Sequence, residues 1–152
     1  MSRKEPMSLA SKISIISSII LTVVVGIVVG NLFFSGEQDI SVSTMDNQIK
    51  IDAMYGVAID YSDIKSISLI DKSMNEIEPK AHRDNGYGGF GDTLKGYFSS
   101  NDLGKFMLFV RANSSPTIRI QRYSDQDIYI SQSDSEKTKE LYEQLIEAVP
   151  QS

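Results

Sequence analysis

HRDNGYGGFGDTLKGYF, residues 82–98, holds five glycines interleaved with Tyr87, Phe90 and Tyr97, and the reading of the fold turns on it. Gly86, Gly88 and Gly91 spell G-x-G-x-x-G. A dinucleotide loop needs a strand just before that motif and a helix just after it, so that phosphate meets a helix N-terminus. That context is missing here, and no G-K-[ST] follows, so nucleotide binding is disfavoured. The remaining role for the glycines is conformational: they supply φ > 0 and close backbone approach in a bulged or tightly turned connection between strands. Tyr87, Phe90, Tyr97 and Phe98 then pack as core or cover.

Upstream the pattern has period two. Ile49, Ile51 and Ala53 alternate with Lys50 and Asp52, and after a Tyr55-Gly56 break Val57, Ile59 and Tyr61 alternate again, the signature of half-buried strands in a hairpin. Residues 63–70 predict a third strand with Ile67 and Leu69 on one face, and the polar run 71–80 predicts a loop. Downstream, residues 106–110, 117–121 and 127–131 predict strands in a meander with short turns. The first of these, FMLFV, is apolar on both faces, which predicts a central strand or one covered on its second side. The period then changes. Leu141, Leu145 and Val149, with Tyr142 and Ile146 beside them, make a helical stripe over residues 134–149, and Ser133 with Glu136 has the spacing of a capping box. Lys137, Lys139, Glu140, Glu143 and Glu147 form its solvated face. Strands followed by one amphipathic C-terminal helix predict a mainly β domain, a bent sheet or partial barrel whose open end the helix covers.

Arg83, Asn85, Gly86, Gly88, Gly91, Gly96 and Phe98 follow the pattern R-x-N-G-x-G-x-x-G-x4-G-x-F, with Gly104-Lys105 and a Leu-Phe-Val strand after them. With the preceding YGVAIDYSDIKSISLID, this pattern resembles the bacterial pleckstrin-homology-like (PH-like) domain family over roughly residues 48–147. The resemblance implies a seven-stranded bent sheet closed by a C-terminal helix, often attached to membrane-spanning segments, and no common catalytic motif. This chain has one apolar segment where family members with two spans would have a pair.

That segment, residues 13–34, has 22 uncharged residues, 15 of them Ile, Leu, Val or Phe. At 1.5 Å per residue it reaches roughly 33 Å, against a hydrocarbon core of about 30 Å. The gross insertion term is roughly −4 to −9 kcal/mol before Ser14, Ser17, Ser18, Thr22 and Asn31 subtract from it. The run is too long for a cleaved leader and no A-x-A-like site follows it, so it reads as an uncleaved signal anchor. Arg3, Lys4 and Lys12 precede it and Lys50 is the first basic residue beyond, which by the positive-inside rule predicts a cytoplasmic N-terminus (residues 1–12) and an extracytoplasmic domain. Residues 35–47 read as a polar stalk and residues 48–150 as the domain. Gly26 and Gly30 form a G-x-x-x-G, a contact face for a homodimer of transmembrane helices.

From Glu37 onward the chain carries 19 acidic and 12 basic residues, a net charge of −7. Nucleic acid is thereby a poor partner, since phosphate neutralisation by Lys and Arg supplies most of such affinity. Absence of cysteine removes disulfides, thiol nucleophiles and cysteine zinc sites. His82 stands alone beside Arg83 and reads as a surface histidine, and Asp60 with Asp63 and Asp125 with Asp127 read as turn residues. No catalytic residue, cofactor site or metal site is assigned. Lys80, Arg83 and Lys95 flank the glycine segment with Tyr87, Phe90 and Tyr97 among them, and these six make the candidate binding surface. The expected function is a non-catalytic, membrane-tethered module that binds another membrane or envelope protein. The alternative is a binding domain for a lipid headgroup or envelope ligand, and a hydrolytic enzyme comes last.

Overall fold

The computed structural model describes residues 8–89 and 91–150, with the side chain of Ser35 also left out of the description. Arg3, Lys4 and Phe90 therefore lie outside the described residues. The chain divides between Ser35 and Gly36 into two units.

The first unit is helical. Helix α1 runs Leu9–Glu37, and within it Leu9–Phe34 is 26 residues long and apolar enough to cross a membrane. One of its hydroxyls folds back on the helix: Thr22 Oγ1 donates to the Ser18 carbonyl at 2.9 Å.

The second unit is mainly β. Strands β1 (Ser41–Met45), β2 (Gln48–Asp52) and β3 (Val57–Asp60) form an antiparallel three-stranded sheet in that order. The expected β2–β3 hairpin is present, with Ile49 opposite Ile59. Strand β1 corrects the expected stalk. Its two-residue turn, Asp46 and Asn47, has φ of 50° and 65°, the left-handed pair that a tight hairpin requires and that Asp and Asn tolerate. The strand carries little apolar weight beyond Val42 and Met45, so its sequence reads as polar linker although it pairs residue for residue with β2.

Six further strands make the larger sheet: β4 (Ile64–Ile70), β5 (His82–Gly88), β6 (Thr93–Ser100), β7 (Gly104–Arg111), β8 (Thr117–Arg122) and β9 (Asp127–Ile130), in the order β4-β8-β9-β7-β6-β5. The expected meander is corrected here. β8 and β9 form an antiparallel hairpin, but β9 then lies parallel to β7, so β7 and β8 are not neighbours. Ile128 and Ile130 of β9 are buried on one face and Tyr129 on the other, so β9 occupies an interior place between β7 and β8. Nine strands in two sheets, with no closed barrel among the described residues, also replace the seven-stranded bent sheet that the resemblance implied.

Strand β7 is covered on both faces, as its sequence predicts. Met107 and Phe109 enter a core shared with Ile49, Ile51 and Ile59 of the small sheet, with Ile118, Ile120, Ile128 and Ile130, and with Leu141 and Leu145 of helix α3 (Ser135–Ala148). Phe106, Leu108 and Val110 enter a second core with Phe98, Tyr129 and Met74, in which the Phe106 and Tyr129 rings meet edge to face at 5.8 Å. Met74 comes from the run read as a loop, which folds into one helical turn, α2 (Met74–Ile77), and covers this face. Each such side chain contributes about 1.5–3 kcal/mol on full burial. The capping box falls on α2, where Glu76 Oε2 accepts from both Ser73 N–H and Ser73 Oγ at 2.8 Å, and not on α3. Helix α3 is capped by Asp134, which accepts from Glu136 N–H at 2.7 Å, because Ser133 is engaged elsewhere.

Candidate functional site

Register separates the six candidate residues. Tyr87 lies opposite Lys95 on β5 and β6, and Tyr97 lies two residues along β6, so these three share one face. Arg83 lies opposite Phe98, whose side chain belongs to the second core, and its Nη1 would stand 3.0 Å from a Cβ placed on Gly88. Lys80 is exposed in the connection before β5. The expectation of one contiguous surface is therefore corrected: Tyr97 and Arg83 are exposed on different faces, and Lys95 is buried. With its stem buried, the Lys95 ammonium donates to the Gln38 carbonyl at 2.5 Å.

That contact opens onto a polar cluster that the sequence reading missed. Residues 37–40, which leave α1, lie across the β6–β7 face. Glu37 accepts from Tyr87 Oη at 3.0 Å and from Thr93 Oγ1 at 2.7 Å, and Arg111 Nη1 reaches its carboxylate at 3.2 Å. Arg111 Nη2 also donates to the Glu37 carbonyl. Arg111 Nε stands 3.7 Å from Asp39, whose two oxygens accept from Ser133 N–H at 2.9 Å and Ser133 Oγ at 2.6 Å. The Gln132 amide donates to the Ile40 carbonyl at 3.1 Å. The first residues of the domain are thus clasped to its own sheet.

The glycine segment makes room for this clasp. A Cβ on Gly89 would overlap the Glu37 carboxylate. In the middle of the hairpin Gly96 has φ of 121°, and a Cβ on it would stand 2.7 Å from the Gly86 Cα, so the two strands approach more closely than side chains allow. The expected close approach is found at both positions and the expected positive φ at Gly96 alone, and the expected connection between strands is corrected, because most of the segment forms β5 and β6 themselves.

The electrostatics follow from these contacts. The Thr93 hydrogen bond, then those of Tyr87 and Arg111, hold Glu37 below the ordinary carboxylate range against a smaller opposing effect of burial. Burial pushes Asp39 up, but the Ser133 bonds and Arg111 outweigh it and the net direction is down. Burial raises the Tyr87 phenol, with Glu37 adding to it, and burial pulls the Lys95 ammonium down. Carboxylates held ionised beside a guanidinium suit anchoring rather than proton transfer at neutral pH.

The remaining singled-out acids have local partners. Asp60 accepts from Gln48 Nε2 at 2.6 Å, Asp63 from Ser124 N–H at 2.9 Å, and Asp127 from Arg119 at 2.7 Å, while Asp125 pairs with Arg122 at 2.5 Å. Among the described residues no three His, Asp or Glu side chains are grouped to hold a metal. A signal for the clasp was present in the sequence: one arginine ends the apolar run FMLFVR, and the acidic E-Q-D follows the apolar helix. Compared with family models, curated proteins and solved structures, the chain matches none.

Proposed function

We propose that this chain is a single-pass, membrane-tethered, non-catalytic module of the bacterial PH-like kind, and that it binds a neighbouring membrane or envelope protein by strand addition along β5. The observation that carries this reading is the position of β5. It is the outermost strand of the larger sheet, five of its seven residues are exposed, and no strand among the described residues pairs with its outer side. An unpaired edge offers a row of backbone donors and acceptors to an extended segment of a partner. The opposite edge, β4, has two exposed residues and packs against α3.

The helix Leu9–Phe34 supplies the tether, with Lys12 and the residues before it in the cytoplasm and the domain outside. Six residues, 35–40, separate Phe34 from the start of β1, a reach of at most about 22 Å, which keeps the partner near the membrane. The PH-like assignment rests on the pattern in residues 82–98 and on the terminal helix. The headgroup alternative loses one of its three cations, because Lys95 is buried.

A photo-crosslinking residue at Asn85, on β5, is expected to capture a discrete membrane or envelope protein in native membranes, whereas one at Glu143, on the exposed face of α3, captures much less. Equal yields at the two positions would remove β5 as the docking edge. The Gly26 and Gly30 face of α1 is assigned to a second copy of the chain. Gly26→Leu is expected to abolish self-association in a membrane two-hybrid assay, and an unchanged signal would exclude that face.

A further inference from the structure

Glu78 is 4% exposed, yet among the described residues no cation lies within ion-pair distance of it. Among the described residues its carboxylate accepts one hydrogen bond, from Lys80 N–H to Oε1, at 3.1 Å. Its Oε2 accepts from no donor among the described residues and is not sealed from solvent, so it can take a donor that arrives. Glu78 lines an open polar cleft of about 370 Å³ between residues 78–82 and the β6–β7 turn, residues 99–102. A second carboxylate oxygen without a protein partner thus stands in the wall of a solvent-filled space.

The opposite charge is on the rim. Lys80 lines the same cleft, is exposed, and makes no ion pair among the described residues. Asn101 adds an exposed amide at the turn, whereas the Ser99 and Ser100 hydroxyls are already engaged with Asp84 and Leu103 N–H. A divalent cation is a poor occupant, because Lys80 and His82 flank the carboxylate and no three-ligand group is present among the described residues. A simple anion is equally poor, because Glu78 and Asp102 would repel it.

We propose that this cleft binds a small zwitterion, with a protonated amine on Glu78 and a phosphate or carboxylate on Lys80. The amine makes a charge-assisted hydrogen bond to the free oxygen of Glu78, which supplies the missing counter-charge. The proposal does not rest on docking at β5, although His82, the first residue of that strand, also lines the cleft. Its ligand chemistry could come from a lipid headgroup or from a free small molecule.

Calorimetric titration of the full chain in phosphatidylcholine nanodiscs separates these. Phosphoethanolamine is expected to bind saturably, at about millimolar or tighter, and at least about tenfold better than inorganic phosphate, ethanolamine or phosphocholine, which lacks N–H donors. Glu78→Gln should weaken it about tenfold or more while leaving the weak response to phosphate unchanged, and Lys80→Ala should weaken it without affecting ethanolamine. Asn101→Trp, at an exposed turn, fills the cleft and should remove binding with an unchanged circular dichroism spectrum, which keeps the test valid if Glu78→Gln fails to fold. Competition by phosphatidylethanolamine added to the nanodiscs identifies a headgroup as the source, and undiminished binding identifies a soluble ligand. No saturable binding, phosphocholine binding as well as phosphoethanolamine, or full affinity in folded Glu78→Gln or Asn101→Trp would overturn the proposal.

Discussion

Lys95 and Glu78 are equally buried, each 4% exposed, and the regions around them answer that burial in opposite ways. Around Lys95 the chain closes on itself: the Gln38 carbonyl takes the ammonium, and Glu37 and Asp39 supply negative charge against the like charge of Arg111. Around Glu78 one backbone N–H is satisfied and the rest opens to a cleft. A buried charge met from within its own chain belongs to the architecture, and one left for solvent to meet marks a place where a ligand gains. Proximity to the glycine segment made Lys95 a candidate for recognition, but its partners make it structural.

The largest effect expected from breaking this comparison comes from Arg111→Ala, which leaves Glu37, Asp39 and Asp92 without their shared cation. Removing one partner of a fully buried pair costs about 3–5 kcal/mol. The Arg111 and Glu37 side chains are 20% and 34% exposed. About 2 kcal/mol is therefore expected from denaturant unfolding of the full chain. A loss under about 0.5 kcal/mol would reduce the clasp to ordinary surface charge.

A second comparison sets the two buried charges against each other. Lys95→Met should destabilise by about 1–2 kcal/mol, because the Gln38 carbonyl loses its donor. Glu78→Gln keeps an acceptor for Lys80 N–H and removes an unpaired charge, so it should be neutral or stabilising by up to about 1 kcal/mol. Equal costs in the two variants would erase the distinction.

The smallest effect is in the acid range. Glu37 and Asp39 are both depressed below their ordinary values in the folded chain. The stability they contribute is fully present above the ordinary carboxylate range, near pH 4, and is lost as pH falls through their lowered values. Thermal unfolding between about pH 5 and 2 should show this loss, and Glu37→Gln should show less of it. An identical acid slope in wild type and variant would remove Glu37 from the linkage.

Much of the element plan was legible from local pattern. The 3.6-residue period of Leu141 and Leu145, the alternation of Ile49 and Ile51, and the two-faced apolarity of FMLFV each report how a segment meets its surroundings, and these segments fold as read. The candidate site was less legible, because nearness in sequence to Gly86 and Gly96 says nothing about which face a side chain takes once register is set.

By itself, the sequence determined the apolar helix, most of the strands and the closing helix, because hydrophobic periodicity is a property of consecutive residues. Tertiary structure alone decided that β9 runs parallel to β7, that residues 41–45 become a strand, and that Lys95 turns inward to Gln38 while Glu78 is left facing a cleft. Each of those outcomes depends on groups distant along the chain, and strand register and burial choose such partners only when the whole sheet assembles.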